Sequence, residues 1–216
     1  KSNHFQHYSA VAASFAALLD FDAWWIDPYQ IGISDIDFMT QAGLEPLAQA
    51  VDTILAKIKQ KYQQYHLKAP PFVIVKADNG TYGMNVMTVY KGTDILTLNR
   101  KQRTKMAAGK EGQKVHRVLV QEGVYTFETT PEGLVAEPVV YMIGSTVVGG
   151  FYRVHQHKGV DANLNSPGMH FEPMPFEKSC NMPGCEHAVL SSEDFFYVYG
   201  VIARLAALAA SREVLS

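Results

Sequence analysis

Phe72-Val73-Ile74-Val75-Lys76-Ala77-Asp78-Asn79-Gly80-Thr81-Tyr82-Gly83-Met84-Asn85-Val86 is the stretch on which the fold turns. An apolar, β-branched run follows Pro70-Pro71 and stops at a lysine, which predicts a buried strand. Asp78-Asn79-Gly80 predicts a turn, and Met84 to Tyr90 a returning strand. A lysine that ends a buried strand is costly unless its ammonium meets an anion or water. Glycines beside it remove the Cβ obstacle and let backbone N–H groups approach a second anion. Lys76 with such a loop suits a polyphosphate. The arrangement differs from the Walker loop, because Lys76 precedes the glycines and strands flank both sides. An ordinary hairpin whose lysine reaches for solvent has the same local sequence.

Before this hairpin the pattern is helical. Tyr8 to Leu19 is rich in Ala and Leu without Gly or Pro, and predicts a helix. Asp20 to Phe38 reads as irregular. A second helix starts near Pro46, with Leu47, Val51, Ile54, Leu55, Ile58, Tyr62 and Tyr65 on one face. After the hairpin come a polar helix over 100–108 and a short buried strand at Val118-Leu119-Val120. Strands over 135–143 and 146–154 are joined at Gly144-Ser145. The Gly- and Pro-rich stretch 155–190 reads as one long loop, a length usually functional or mobile. A last helix over 192–210 opens on a capping box of Ser191 and Asp194.

Three further segments carry chemistry. In the first, Gln121-Glu122-Gly123-Val124 ends a buried strand, which can offer backbone groups to an adenine edge and a carboxylate to ribose hydroxyls. The second is the hairpin at Gly144-Ser145, which brings Glu137 and Arg153 toward each other. A structural ion pair explains this as well as a site where the Arg153 fork of donors meets a phosphoryl group. The third, Asp161-Ala-Asn163-Leu-Asn165-Ser-Pro-Gly168, has amides and side-chain carbonyls suited to phosphate or a hard cation. Cys180 and Cys185, with His187 after them and His155 and His157 upstream, contain zinc-capable groups. Their spacing is looser than in zinc knuckles, and two reduced thiols are the favoured reading.

At 216 residues and 47% hydrophobic, the chain can build one substantial core or two small lobes. A formal net charge of -2 gives no electrostatic case for nucleic acid. No apolar run is long enough for a bilayer, and the opening residues lack a signal-peptide layout. Two cysteines form no disulfide framework, so a cytoplasmic setting is expected. The chain does not open on Met, and it is expected to be a piece of something longer.

Taken in order, KADNGTYGM, VQEG, AEPVVYMIG, GGFYRV, DANLNSPGMHFEPM and EDFFYVYGVIARLAALAA resemble the proteobacterial glutamate–cysteine ligase family. The likeness covers nearly the whole chain and is most specific in GTYGM and NLNSPGMHF. The order of segments is similar to the ATP-grasp plan. That resemblance implies an α+β fold of mixed or antiparallel sheets with flanking helices and a nucleotide cleft between two lobes. Residues 1–70 would be the helical N-terminal part, and 71–216 the nucleotide-binding and catalytic region.

It also implies roles. Lys76 would contact the α/β phosphates, and Gly80, Thr81, Tyr82 and Gly83 would form the lid. Gln121, Glu122, Gly123 and Val124 would line the adenine pocket. Arg153 would stabilise the γ-phosphoryl group, with Asn163 and Asn165 at the phosphate–metal end. Lys1 could stand where related chains place an upstream phosphate lysine. The Glu-x-Asn magnesium pair usual in ATP-grasp enzymes does not follow the NLN segment, which leaves Glu137, Asn163, Asn165 and Glu172 as candidates for Mg2+. The implied substrates are ATP, glutamate and cysteine, and a homo-oligomer remains open. A ligase for other amino acids or peptides, and a non-catalytic nucleotide-binding domain, are the competing readings.

Overall fold

The computed structural model describes residues 1–80, 84–107, 109, 112–174 and 192–215. In chain order its elements are α1 (Ser2–Leu19), β1 (Gln30–Ile33), α2 (Leu44–Gln64), β2 (Val73–Ala77), β3 (Val86–Val89), α3 (Thr93–Leu96) and α4 (Arg100–Ala107). They continue with β4 (Val118–Glu122), β5 (Ala136–Ile143), β6 (Thr146–His155), β7 (Met169–Pro173) and α5 (Ser192–Leu215). The result is an α+β fold with two antiparallel sheets and flanking helices. No described helix is long and apolar enough to cross a membrane.

Two compact units emerge. The first comprises Lys1–Phe5, Asp27–Tyr125 and Asp161–Asn163, and the second Gln6–Ile26, Thr126–Val160 and Leu164–Ser216. In the first unit the strand order is β1-β4-β2-β3. β4, paired with β1 on one side and β2 on the other, is buried along its whole length. In β2, buried Val73, Val75 and Ala77 alternate with the less buried Ile74 and Lys76. Against this sheet lies α2, whose Leu47, Val51, Ile54 and Ile58 recur at helical spacing with no exposed surface. Burial of each such side chain stabilises by about 1.5–3 kcal/mol. Helix α2 starts after Gly43, at φ 74°, where an added Cβ would lie 2.6 Å from the Asp35 carbonyl oxygen. Only glycine fits that approach.

The second unit holds the sheet β5-β6-β7. Within it Tyr8, Val11 and Ala12 of α1 pack with Leu205 and Ala209 of α5, and the Tyr8 hydroxyl donates to the Ile26 carbonyl at 2.9 Å.

Several elements differ from the sequence reading. Helix α1 begins at Ser2 rather than near Tyr8, and residues 30–33 form a strand inside the stretch expected to be irregular. QIGI is short and contains a glycine, so no alternation announces it; its pairing with β4 creates it. β4 extends through Gln121 and Glu122. β7 interrupts the expected loop because Met169 to Pro173 finds the free edge of β6. The proposed capping box lies outside the described residues and side chains.

Candidate functional site

Lys76 sits opposite Leu119 of β4, while Gln121 sits opposite Ile74. Directly opposed residues share a face and so do residues two apart, which makes Lys76 and Gln121 diagonal neighbours. The Lys76 ammonium donates to the Gln121 side-chain carbonyl and lies 5.0 Å from the centre of the Phe5 ring. Burial, and then the nearby Lys1 ammonium, push the Lys76 pKa down from 10.5 to about 8. A buried cation repelled by a second cation is an arrangement that an anion would relieve. Lys1 itself has a lowered pKa, chiefly through burial, partly offset by Asp78. Its Nζ donates to the carbonyls of Ala77 at 2.7 Å and Asp78 at 3.1 Å, and to that of Gly80.

The glycine hairpin is held at both ends. Asp78 accepts from the Ser2 N–H at 2.6 Å and the Ser2 hydroxyl at 2.7 Å, and pairs with Arg117 at 3.3 Å. On the returning side, buried Asn85, at φ 55°, donates to the carbonyls of Lys105 at 2.9 Å and Met106 at 3.3 Å in the last turn of α4. Gly80 closes the turn by donating to the Ala77 carbonyl at 3.1 Å. The remaining expected lid residues, Thr81, Tyr82 and Gly83, lie outside the described residues.

The expected adenine segment is fixed in place as β4 ends. Glu122 is buried; its carboxylate accepts from the Tyr29 N–H at 3.0 Å, and its own N–H donates to the Tyr29 carbonyl at 2.7 Å. Gly123 donates to the Phe72 carbonyl at 2.9 Å, and a Cβ there would lie 2.1 Å from a Phe72 ring carbon. Val124 is 70% exposed, so it is the one member of the segment turned to solvent.

In the second unit Glu137 and Arg153 face each other across β5 and β6, with Nη1 3.1 Å from Oε2. The Arg153 Nε is buried with no hydrogen-bond partner among the described residues. Asn165 belongs to this unit and Asn163 to the first. Glu172 lies 2.9 Å from His170 Nε2. His155 is buried and uses both ring nitrogens within the protein: Nδ1 accepts from the His157 N–H at 3.2 Å, so Nε2 is the donor to the Pro167 carbonyl at 3.1 Å. No group of three His, Cys, Asp or Glu side chains able to hold a metal occurs among the described residues. Cys180, Cys185 and His187 lie outside them.

Sequence reasoning missed Phe5, Ser2, Tyr29, Phe72 and Arg117 as partners of the expected site residues. Asp78, so close to Lys76, was a signal that this hairpin is built from ionic contacts.

A family model described as glutamate-cysteine ligase (GshA) matches residues 1–214. The chain is also similar to a crystal structure described provisionally as a gamma-glutamylcysteine synthetase from Methylobacillus flagellatus KT, with a TM-score of 0.87 and 54% identity. That match covers 100% of this chain and 50% of the relative, so the chain spans about half the relative's length. A comparison with curated proteins gave no match.

Proposed function

The chain belongs to the glutamate–cysteine ligase family, and from that premise we propose that it takes part in an ATP-dependent ligation of the glutamate γ-carboxylate to the cysteine amine. The observation that carries the reading is the Lys76 ammonium, desolvated at the end of β2 and set beside a second ammonium and a glycine turn. Such a pair suits a polyphosphate. The ATP-grasp plan, with nucleotide between two lobes, residues 71–216 as the nucleotide-binding part and a cytoplasmic setting, belongs to the same proposal.

In this reading Lys76 and Lys1 bind phosphate oxygens, and the loop from Gly80 to Gly83 excludes water from them. Gln121 through Val124 receive the base, with Glu122 and Gly123 holding the strand end in shape. The carboxylate attacks the γ-phosphorus and ADP leaves; Arg153 stabilises the charge spreading over the moving group. The resulting acyl phosphate is attacked by the amine, which loses a proton as phosphate departs. Magnesium supplies charge neutralisation on the triphosphate when bound. The oxygens of Asn163, Asn165 and Glu137, of the hard type it takes, would hold it.

The test is phosphate release from ATP by the longest polypeptide that carries this sequence, with glutamate and cysteine omitted in turn. Release that needs both amino acids, with Mg-ATP affinity lowered about 10- to 100-fold in Lys76→Met, is expected for loss of a charge-assisted contact. Release indifferent to the amino acids, or a folded Lys76→Met protein of full activity, overturns the proposal.

A further inference from the structure

Asn163 belongs to a short segment, Asp161–Asn163, that joins the first unit although its sequence neighbours on both sides belong to the second. Two side chains from the first sheet account for that. The Tyr90 hydroxyl, just past β3, donates to Asp161 Oδ2, and the Thr88 hydroxyl reaches the Asp161 backbone carbonyl at 3.4 Å. The carboxylate holds the Tyr90 proton strongly enough to push its pKa up to about 12.

Tyr90 is itself seated. Its ring lies 6.1 Å from that of Phe72, which is 1% exposed and makes an edge contact with Tyr125 at 4.9 Å. Phe72 in turn fills the space that a side chain at position 123 would need. A continuous packed path therefore runs from Gly123, through Phe72 and Tyr90, to Asp161. It links the segment proposed to receive the base with the one proposed to meet the phosphate end.

We infer that Tyr90 is a positioning residue, which clamps Asp161 so that Asn163, two residues on and within about 7 Å along the chain, is held on the sheet that carries Lys76. The role rests on the proposed ligase reading. Asn163 touches the phosphate end of the nucleotide, and Tyr90 acts through it. Loss of the clamp weakens binding of the triphosphate and leaves adenosine untouched, because adenosine has no phosphate for Asn163 to meet. Loss of a merely structural contact would weaken both alike.

The experiment is calorimetric titration of Mg-ATP and of adenosine into the longest polypeptide that carries this sequence, as wild type, Tyr90→Phe, Asp161→Asn and the double variant. Hydrogen exchange at 161–163 is followed without nucleotide. Because Tyr90 is half exposed, Tyr90→Phe is expected to lower Mg-ATP affinity about three- to tenfold. Adenosine affinity should be unchanged, exchange at 161–163 faster, and the double variant no weaker than the worse single one. Wild-type Mg-ATP affinity in Tyr90→Phe, an equal fall for adenosine, or additive losses overturns the role of Tyr90 alone. Failure of the wild-type chain to bind Mg-ATP overturns the ligase reading and this role with it.

Discussion

Nucleotide binding should carry a proton with it. Lys76 has its pKa lowered from 10.5 to about 8 by burial and by Lys1; its other neighbours, the Gln121 carbonyl and the Phe5 ring, are uncharged. A depressed lysine pKa means the charged form is disfavoured in the fold, so the ligand-free protein gains stability as pH rises from about 8 towards 10.5. A bound polyphosphate reverses the preference and restores the ammonium. Without ligand, about half the molecules hold Lys76 neutral at pH 8 and about nine-tenths at pH 9. Binding of Mg-ATP should then take up about half a proton at pH 8, about 0.9 at pH 9 and about 0.1 at pH 7. Calorimetry in buffers of different ionisation enthalpy reads the number directly. Lys1, also depressed by burial, contributes in the same direction, and so the quantity to compare is wild type minus Lys76→Met. A difference of zero at pH 9, with the nucleotide still bound by the wild type, refutes the placement of phosphate against this lysine.

Two stability predictions follow from the same unit. Gly123→Ala forces a methyl to 2.1 Å from the buried Phe72 ring and should cost about 1–3 kcal/mol in urea unfolding; an unchanged midpoint would mean the ring has room to withdraw. Asn85→Ala removes two bonds to the Lys105 and Met106 carbonyls and places alanine at φ 55°, for a loss of about 1–3 kcal/mol by the same assay. Asn85→Gly should recover the backbone part of that loss but not the hydrogen bonds.

Local chemistry was the part that could be read from sequence. β2, its turn and β3 announce themselves because an apolar run, Asp-Asn-Gly and a second apolar run each act over a few residues. The spacing of Leu47, Val51, Ile54 and Ile58 likewise gives away α2 and the side it buries. What the sequence hides are pairings made at a distance. β1 exists because β4 offers it an edge, and β7 because β6 does. The lowered pKa of Lys76 comes from burial and from Lys1, and the ring over its ammonium is Phe5; both residues lie far away along the chain, and no window around position 76 contains them.

The Glu137–Arg153 pair lies between these extremes. The turn at Gly144-Ser145 pairs Ile143 with Thr146 and Met142 with Val147. A regular ladder continued from there would set Glu137 against Tyr152 and leave Arg153 on the opposite face. The ladder instead slips at Tyr141, which pairs with Gly149 and leaves Val148 as the extra residue of a bulge. From that point every partner moves by one, and Arg153 comes onto the face of Glu137. Gly149-Gly150 inside a strand is the residue-level hint of such a bulge. The expectation that the two ends meet was therefore met for a reason that simple pairing from the turn does not supply. If Arg153 has the proposed role, its aim is set by one surplus residue near the turn rather than by its own neighbours.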